Sequence, residues 1–183
     1  MLPRALEEIA DGLEHRRAQV LGEVAGLSQS QADWRPGPDQ WSLGEVLHHL
    51  VLAEGIAGKM VSVAIKHAAE AGPLPPYAAD IDAFAWQPPT PDDRWVVRVP
   101  EPAAPTHGQP IAALREAMAK QRSLTEKVLQ RVAAVDPRVI TAVHPLIGNM
   151  NAAQWAIFCE YHMRVHLRQM KDVKAAPVFP QHE

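Results

Sequence analysis

The sequence predicts an all-α protein, a four-helix bundle with a long proline-rich connection between the second and third helices. Three observations lead there. Four segments repeat apolar residues at helical spacing. Two of those segments open on capping signals. Ten of the 17 prolines lie between Pro73 and Pro110, in a stretch that no continuous regular element can hold. The 183 residues are expected to form one domain spanning 1–183, long enough to bury a core without cross-links.

The first helix is expected over residues 3–27. Leu6, Ile9, Leu13, Val20, Val24 and Leu27 recur on one side, and Glu7, Glu8, Arg16 and Arg17 fit the wet side. "RPGPDQ", 35–40, reads as a turn. The second helix starts at "WSLGEVLHHL". Ser42 is its N-cap and Glu45, three residues on, completes a capping box, with Trp41 placed to staple against Val46. Gly72 and Pro73 end it. Gly55 and Gly58 weaken it locally and point to a close neighbour.

Residues 73–108 form the long connection, with Tyr77, Phe84, Trp86 and Trp95 expected to pack it onto the domain. Within it "RWVVRV", 94–99, alternates as a short strand does. The third helix covers 109–134, with Ile111, Leu114, Met118, Leu124, Val128, Leu129 and Val132 on its apolar side. A second connection, "AAVDPRVITAVHPLIGNM", leads to the fourth helix. That helix begins near Asn151, has Gln154 at the capping-box position and ends before Pro177. No internal repeat marks a solenoid.

Composition excludes some functions. Hydrophobic residues make up 47% and charged residues 21%, as in soluble globular proteins. The net charge of −3 with no basic face makes nucleic acid a poor partner. The N-terminus carries frequent charge and lacks the apolar core of a signal peptide. No run approaches 18 apolar residues, so no membrane span is expected. Cys159 is the single cysteine. No intrachain disulfide can form, which fits a cytoplasmic location.

The histidines carry the functional signal. In "EYHMRVHLRQ", 160–169, His162 and His166 lie four apart and share a helix face. Projection puts them with Trp155, Phe158, Cys159 and Gln169 on a stripe about 100° wide, the side that faces a core. On the second helix His49 sits with Val46, Ala53, Ile56 and Met60, whereas His48 falls on a more mixed side. Buried imidazoles need hydrogen bonds, water or a metal. Three inward histidines from two helices match a facial three-histidine site, provided the helices are neighbours. Met163 stands where a metalloprotease of the zincin type carries glutamate, so that chemistry is discounted. The bland alternative is a histidine pair satisfied by backbone or water.

Two stretches resemble the DinB-like superfamily. "WSLGEVLHHLVLAE" (41–54) is similar to its tryptophan-serine helix start and histidine-leucine pair. "HPLIGNMNAAQWAIFCEYHMRVHLRQMKDV" (144–173) is similar to its final segment, with His144-Pro145, Gly148, Gln154-Trp155, His162, His166 and Gln169 in register. The resemblance implies a four-helix bundle holding a divalent metal, zinc or nickel first, through His49, His162 and His166. The long segment 73–108 departs from the pattern; it either covers the open metal positions or decorates the fold. Relatives include thiol-dependent transferases and isomerases as well as damage-inducible proteins.

A metal left partly open by three ligands can hold a low-molecular-weight thiol as thiolate for transfer to an electrophilic small molecule. Hydrolysis by activated water competes, but no general base is evident: Glu160 points away from His162, and nothing fixes Glu45 or Glu54. Two other readings stand beside these. One is a non-enzymatic module of stress response that binds a small ligand or a protein; the other is a homodimeric scaffold. Cys159 and Trp155 read first as core, and His144 as a structural residue of a turn. Gln169 is either a hydrogen-bond partner of a ligand histidine or an ordinary buried amide. His15, His67, His107 and His182 show no partner pattern. Trp86 and Trp95 are assigned to packing, Arg164 and Arg168 to a solvated face.

Overall fold

A computed structural model describes residues 1–81, 83–87 and 99–180. Its helices are α1 (Arg4–Glu23), α2 (Gln29–Asp33), α3 (Leu43–Ala71), α4 (Ile111–Val132) and α5 (Ala152–Lys174). A small antiparallel hairpin, β1 (Thr141–His144) and β2 (Gly148–Asn151), pairs Thr141 with Asn151 and His144 with Gly148. The four long helices are the expected bundle. Each lies within a few residues of its expected span.

Capping chemistry sets the starts. Ser42 and Glu45 form a reciprocal capping box at α3, and Asn151 and Gln154 form one at α5. Each satisfies two amides that helix geometry leaves without partners. A third box, Ser28 with Gln31, starts the five-residue α2. "SQSQ" at 28–31 carries that signature in the sequence, in a segment too short for periodicity to mark a helix.

Helices α1 and α5 pack side by side, as do α3 and α4, and α3 and α5. Contacts along α3 and α4 advance together: Gly55 meets Gln121, Glu54 meets Thr125, and Gly58 meets Val128. The two helices are therefore parallel. So are α1 and α5, where Arg16 bonds Glu160 and Lys174 bonds Glu23. A 29-residue helix rises about 1.5 Å per residue, so the chain must return the length of the bundle before α4 can start. The long connection is a crossover, which accounts for its length. Its Tyr77, Phe84 and Trp86 pack against the core; Trp86 meets the rings of Phe158 and Tyr161 at 6.1 and 5.4 Å. Trp95 and all but the last residue of the expected strand at 94–99 lie outside the described residues, as does His182.

The core runs through all four long helices, with Leu6, Leu13, Leu47, Leu50, Met118 and Met170 at or below 1% exposure. Two sequence expectations fail in it. Leu124, expected on the apolar side of α4, is 53% exposed. Six residues from Met118, it lies about 120° off the buried stripe at 100° per residue. The inward positions there belong to Gln121, which donates to the Val51 carbonyl at 3.1 Å, and Thr125, which donates to Glu54 at 2.6 Å. Arg17, expected on the wet side of α1, is 2% exposed. It continues the Leu13–Val20 stripe and pairs with buried Glu54 and with Glu14. Gly55 has its close neighbour: a Cβ there would lie 2.8 Å from Gln121 Nε2.

By length and composition alone, α3 is apolar enough to cross a membrane, a test that the core helix of a bundle also passes. Its apolar residues serve the bundle core instead, and its buried face includes Glu45, His49 and Glu54, each bonded inside the fold.

Candidate metal centre

Neighbouring helices α3 and α5 bring three histidines together. His49 is 4% exposed on α3, and His162 and His166 are partly buried one turn apart on α5. The His162 Nε2 lies 3.1 Å from Nε2 of His49 and 3.1 Å from Nε2 of His166. One donor nitrogen from each ring falls within 4.8 Å of the others. Nitrogens about 2.0–2.1 Å from one shared cation are roughly 3.0–3.4 Å apart, so the spacing fits.

Their outer nitrogens settle the tautomers. His49 Nδ1–H donates to the Ala103 carbonyl at 2.7 Å, and His166 Nδ1–H donates to Gln169 Oε1 at 2.7 Å. With Nδ1 protonated, a neutral ring carries a lone pair on Nε2. Two lone pairs thus face His162 Nε2, which can offer one proton at most. One imidazole nitrogen is left without a donor. A cation would satisfy all three at once, and the orienting acceptors on Nδ1 are the usual partners of metal-ligating histidines.

Electrostatics favour the same neutral state. Burial pushes the His162 pKa well below the ordinary histidine range, helped by His166 and His49. Burial, with His49, pushes His166 down to about 3 against the opposing Gln169 bond. His49 is lowered as well, chiefly by burial. Unfolded imidazoles take up protons as pH falls through about 6.5, whereas the folded ones stay neutral. Proton uptake therefore favours the unfolded chain, and metal-free protein should lose stability as pH drops below about 6.5, with His166 resisting protonation down to about 3. Thermal melts of chelator-treated protein at about pH 7.5 and about pH 5 check this; the midpoint should be lower in acid, and equal midpoints would contradict the burial of neutral rings.

The loop before α4 is tied to α3 by consecutive turns. His48 Nδ1 accepts the Thr106 amide at 2.9 Å, His49 holds Ala103, and His107 Nδ1 lies 3.4 Å from Glu45 Oε2. His48 therefore supports the loop that orients His49, and His107, which shows no partner pattern in the sequence, has a carboxylate beside it. Burial would raise the Glu45 carboxyl, but hydrogen bonds from Arg35, Ser42 and His107 outweigh it and hold the pKa at about 2. Neither Glu45 nor Glu54 is free to act as a base, since Arg35 holds one and Arg17 the other. Glu160 is engaged by Arg16.

Aromatic rings surround the triad. Trp41 stacks on His166 at 6.1 Å and 18°, and approaches His49 at 5.0 Å. Phe158 stacks on His162 at 5.4 Å and 22°. From the sequence Trp41 reads as a helix staple and as part of the tryptophan-serine start that resembles the DinB-like superfamily. Cys159 is core, with its thiol pKa pushed up by burial.

The triad opens onto a cavity of about 680 Å³ walled by Ile56, Met60, Val143, Trp155, Phe158 and Val165. Pro100, Pro102 and Ala103 line another side, so part of the proline-rich connection borders the same cavity. Arg168 is exposed, as expected, and borders this cavity with Asp172. A second cavity of about 630 Å³, bordered by Trp41 and Asp39, shares His166, Gln169 and Asp172 with the first.

The sequence model of the DinB superfamily matches residues 12–170. The chain belongs to the DinB superfamily. A curated relative, the uncharacterized protein YuaE of Bacillus subtilis (strain 168), is 27% identical over 163 residues, covering 86% of this chain and 92% of the relative. No solved structure matches the chain. Within this DinB-superfamily chain, Gln169 fixes the His166 ring through its Oε1. Gln169→Ala should weaken metal affinity about 10–100-fold while leaving one site per chain. Competition against a colorimetric chelator checks this, and an unchanged affinity would remove Gln169 from the centre.

Proposed function

We propose that this protein holds one divalent metal, zinc or nickel, through His49, His162 and His166, and transfers a low-molecular-weight thiol to an electrophilic small molecule. The observation that carries the reading is the triad's position in the wall of a roomy, largely apolar cavity. A divalent cation there would supply Lewis acidity, lowering the pKa of a coordinated thiol so that it is a nucleophile near neutral pH. The chain's own residues do the rest. Ala103 and Gln169 hold two ligand rings in one tautomer. Ile56, Met60 and Phe158 exclude water from the apolar part of a substrate.

Thiol transfer is preferred to hydrolysis because it needs no general base, and Glu45, Glu54 and Glu160 are committed to arginines. One observation favours the hydrolytic alternative: Asp172, a carboxylate with no ion pair among the described residues, lines both cavities. The preferred reading places the protein in the cytoplasm, where such thiols stay reduced. Metal-loaded protein is to be assayed with a panel of thiols and generic electrophiles, and separately with activated esters. Thiol-dependent loss of the electrophile, abolished by chelator, is expected. Ester hydrolysis that Asp172→Asn removes would favour the hydrolase, and no turnover of either kind would favour a binding module.

A further inference from the structure

Three imidazole ligands bring no negative charge to the candidate metal centre, so a divalent cation there would keep its full charge. The nearby carboxylates of the fold are already committed: Glu45 to Arg35, Glu54 to Arg17 and Glu160 to Arg16. Asp172 is the one carboxylate among the described residues that line the first cavity, and Arg168, one helical turn before it, lines the same cavity. The two offset each other. A cation left uncompensated beside apolar walls is costly, and an anionic ligand removes that cost.

The rest of the cavity suits hydrocarbon. Ile56, Met60, Trp155, Phe158 and Val165 form its walls. Apolar surface continues outward onto the hairpin, where Val143 and Leu146 line the cavity and are 65% and 45% exposed. Solvent-facing apolar side chains at the edge of an apolar cavity gain from being covered. Ring contacts lead from the triad to that edge: His162 lies 5.4 Å from Phe158, and Phe158 lies 4.8 Å from His144 at the end of β1. An extended chain advances roughly 1.2 Å per bond, so a chain of moderate length covers both steps.

We propose that this cavity takes a monocarboxylate with an unbranched chain of about eight to ten carbons, its carboxylate at the cation held by the triad and its far end on Val143 and Leu146. These two residues set the chain length that is favoured. The proposal rests on the metal-binding part of the reading above and is independent of thiol transfer.

Binding tests it without turnover. Full-length protein is loaded with zinc, its zinc content is measured, and it is titrated calorimetrically at about pH 7.5, where carboxylates are ionised. The ligands are butanoate, octanoate, decanoate and 1-octanol. Octanoate should bind at least about tenfold more tightly than 1-octanol, the scale of one contact to a charged group, and chelator should abolish that preference. Affinity should rise about fourfold for each methylene that becomes buried. The double variant Val143→Ser with Leu146→Ser changes exposed side chains and keeps the Val143–Asn149 pairing and the Leu146 amide bond to His144. It should bind butanoate as wild type does, and its gain from octanoate to decanoate should fall by at least half. No preference for the acid in zinc-loaded protein overturns the proposal and leaves the metal reading in place. A preference that persists after chelation overturns the placement of the carboxylate. Protein that retains no zinc overturns the proposal and the metal reading together. A gain from octanoate to decanoate that the double variant keeps overturns the role of Val143 and Leu146.

Discussion

His49→Ala should bind zinc or nickel more than about 100-fold more weakly than wild type, beyond the upper end of what losing a ligand's hydrogen-bond partner costs. His49 is the only ligand candidate from α3, so its removal leaves two donors on one helix face. His166→Ala should act similarly, since it removes the nitrogen oriented by Gln169. The fold should survive both changes, because each trades an imidazole that needs partners for a small apolar side chain in a site bordered by cavities. Metal content after dialysis, with circular dichroism as the control, reads the effect. Variants that retain one tightly held metal per chain would remove the triad from the account.

Arg17→Met should be strongly destabilising. The guanidinium sits between Glu14 and Glu54, and Glu54 is 5% exposed. Removing one member of a buried pair strands the other charge, a loss of about 3–5 kcal/mol, or on the order of 10 °C in midpoint for a chain of this size. Arg17 Nε and Glu54 Oε2 have no hydrogen-bond partner, so the cluster is incompletely satisfied even when paired. Replacing both members, Arg17→Met with Glu54→Leu, should therefore recover most of the loss. Thermal melts of the two variants decide the point. A double variant no more stable than the single one would mean that the pair itself contributes net stability.

The parts legible in the sequence are those written in local chemistry. Ser42 with Glu45 and Asn151 with Gln154 announce two helix starts within four residues each. His49, His162 and His166 face inward by periodicity alone, and the resemblance on "WSLGEVLHHLVLAE" and the closing segment selects the same three. What escapes depends on distant partners. Arg17 lies on a core stripe, and only Glu54, 37 residues on, explains why a charge can be there. Leu124 reads as core for its apolarity, although Gln121 and Thr125 hold the inward positions through bonds to α3. The hairpin at 141–151 has strands of four residues each, too short for alternation to distinguish them from loop. For that reason His144 reads as a turn residue, although its strand places it in the cavity wall.

X-ray absorption at the metal edge of zinc-loaded protein tests the central claim most directly. The account predicts three imidazole ligands together with at least one light-atom ligand from solvent. Fewer than three imidazoles, or a sulfur ligand from Cys159, would contradict it.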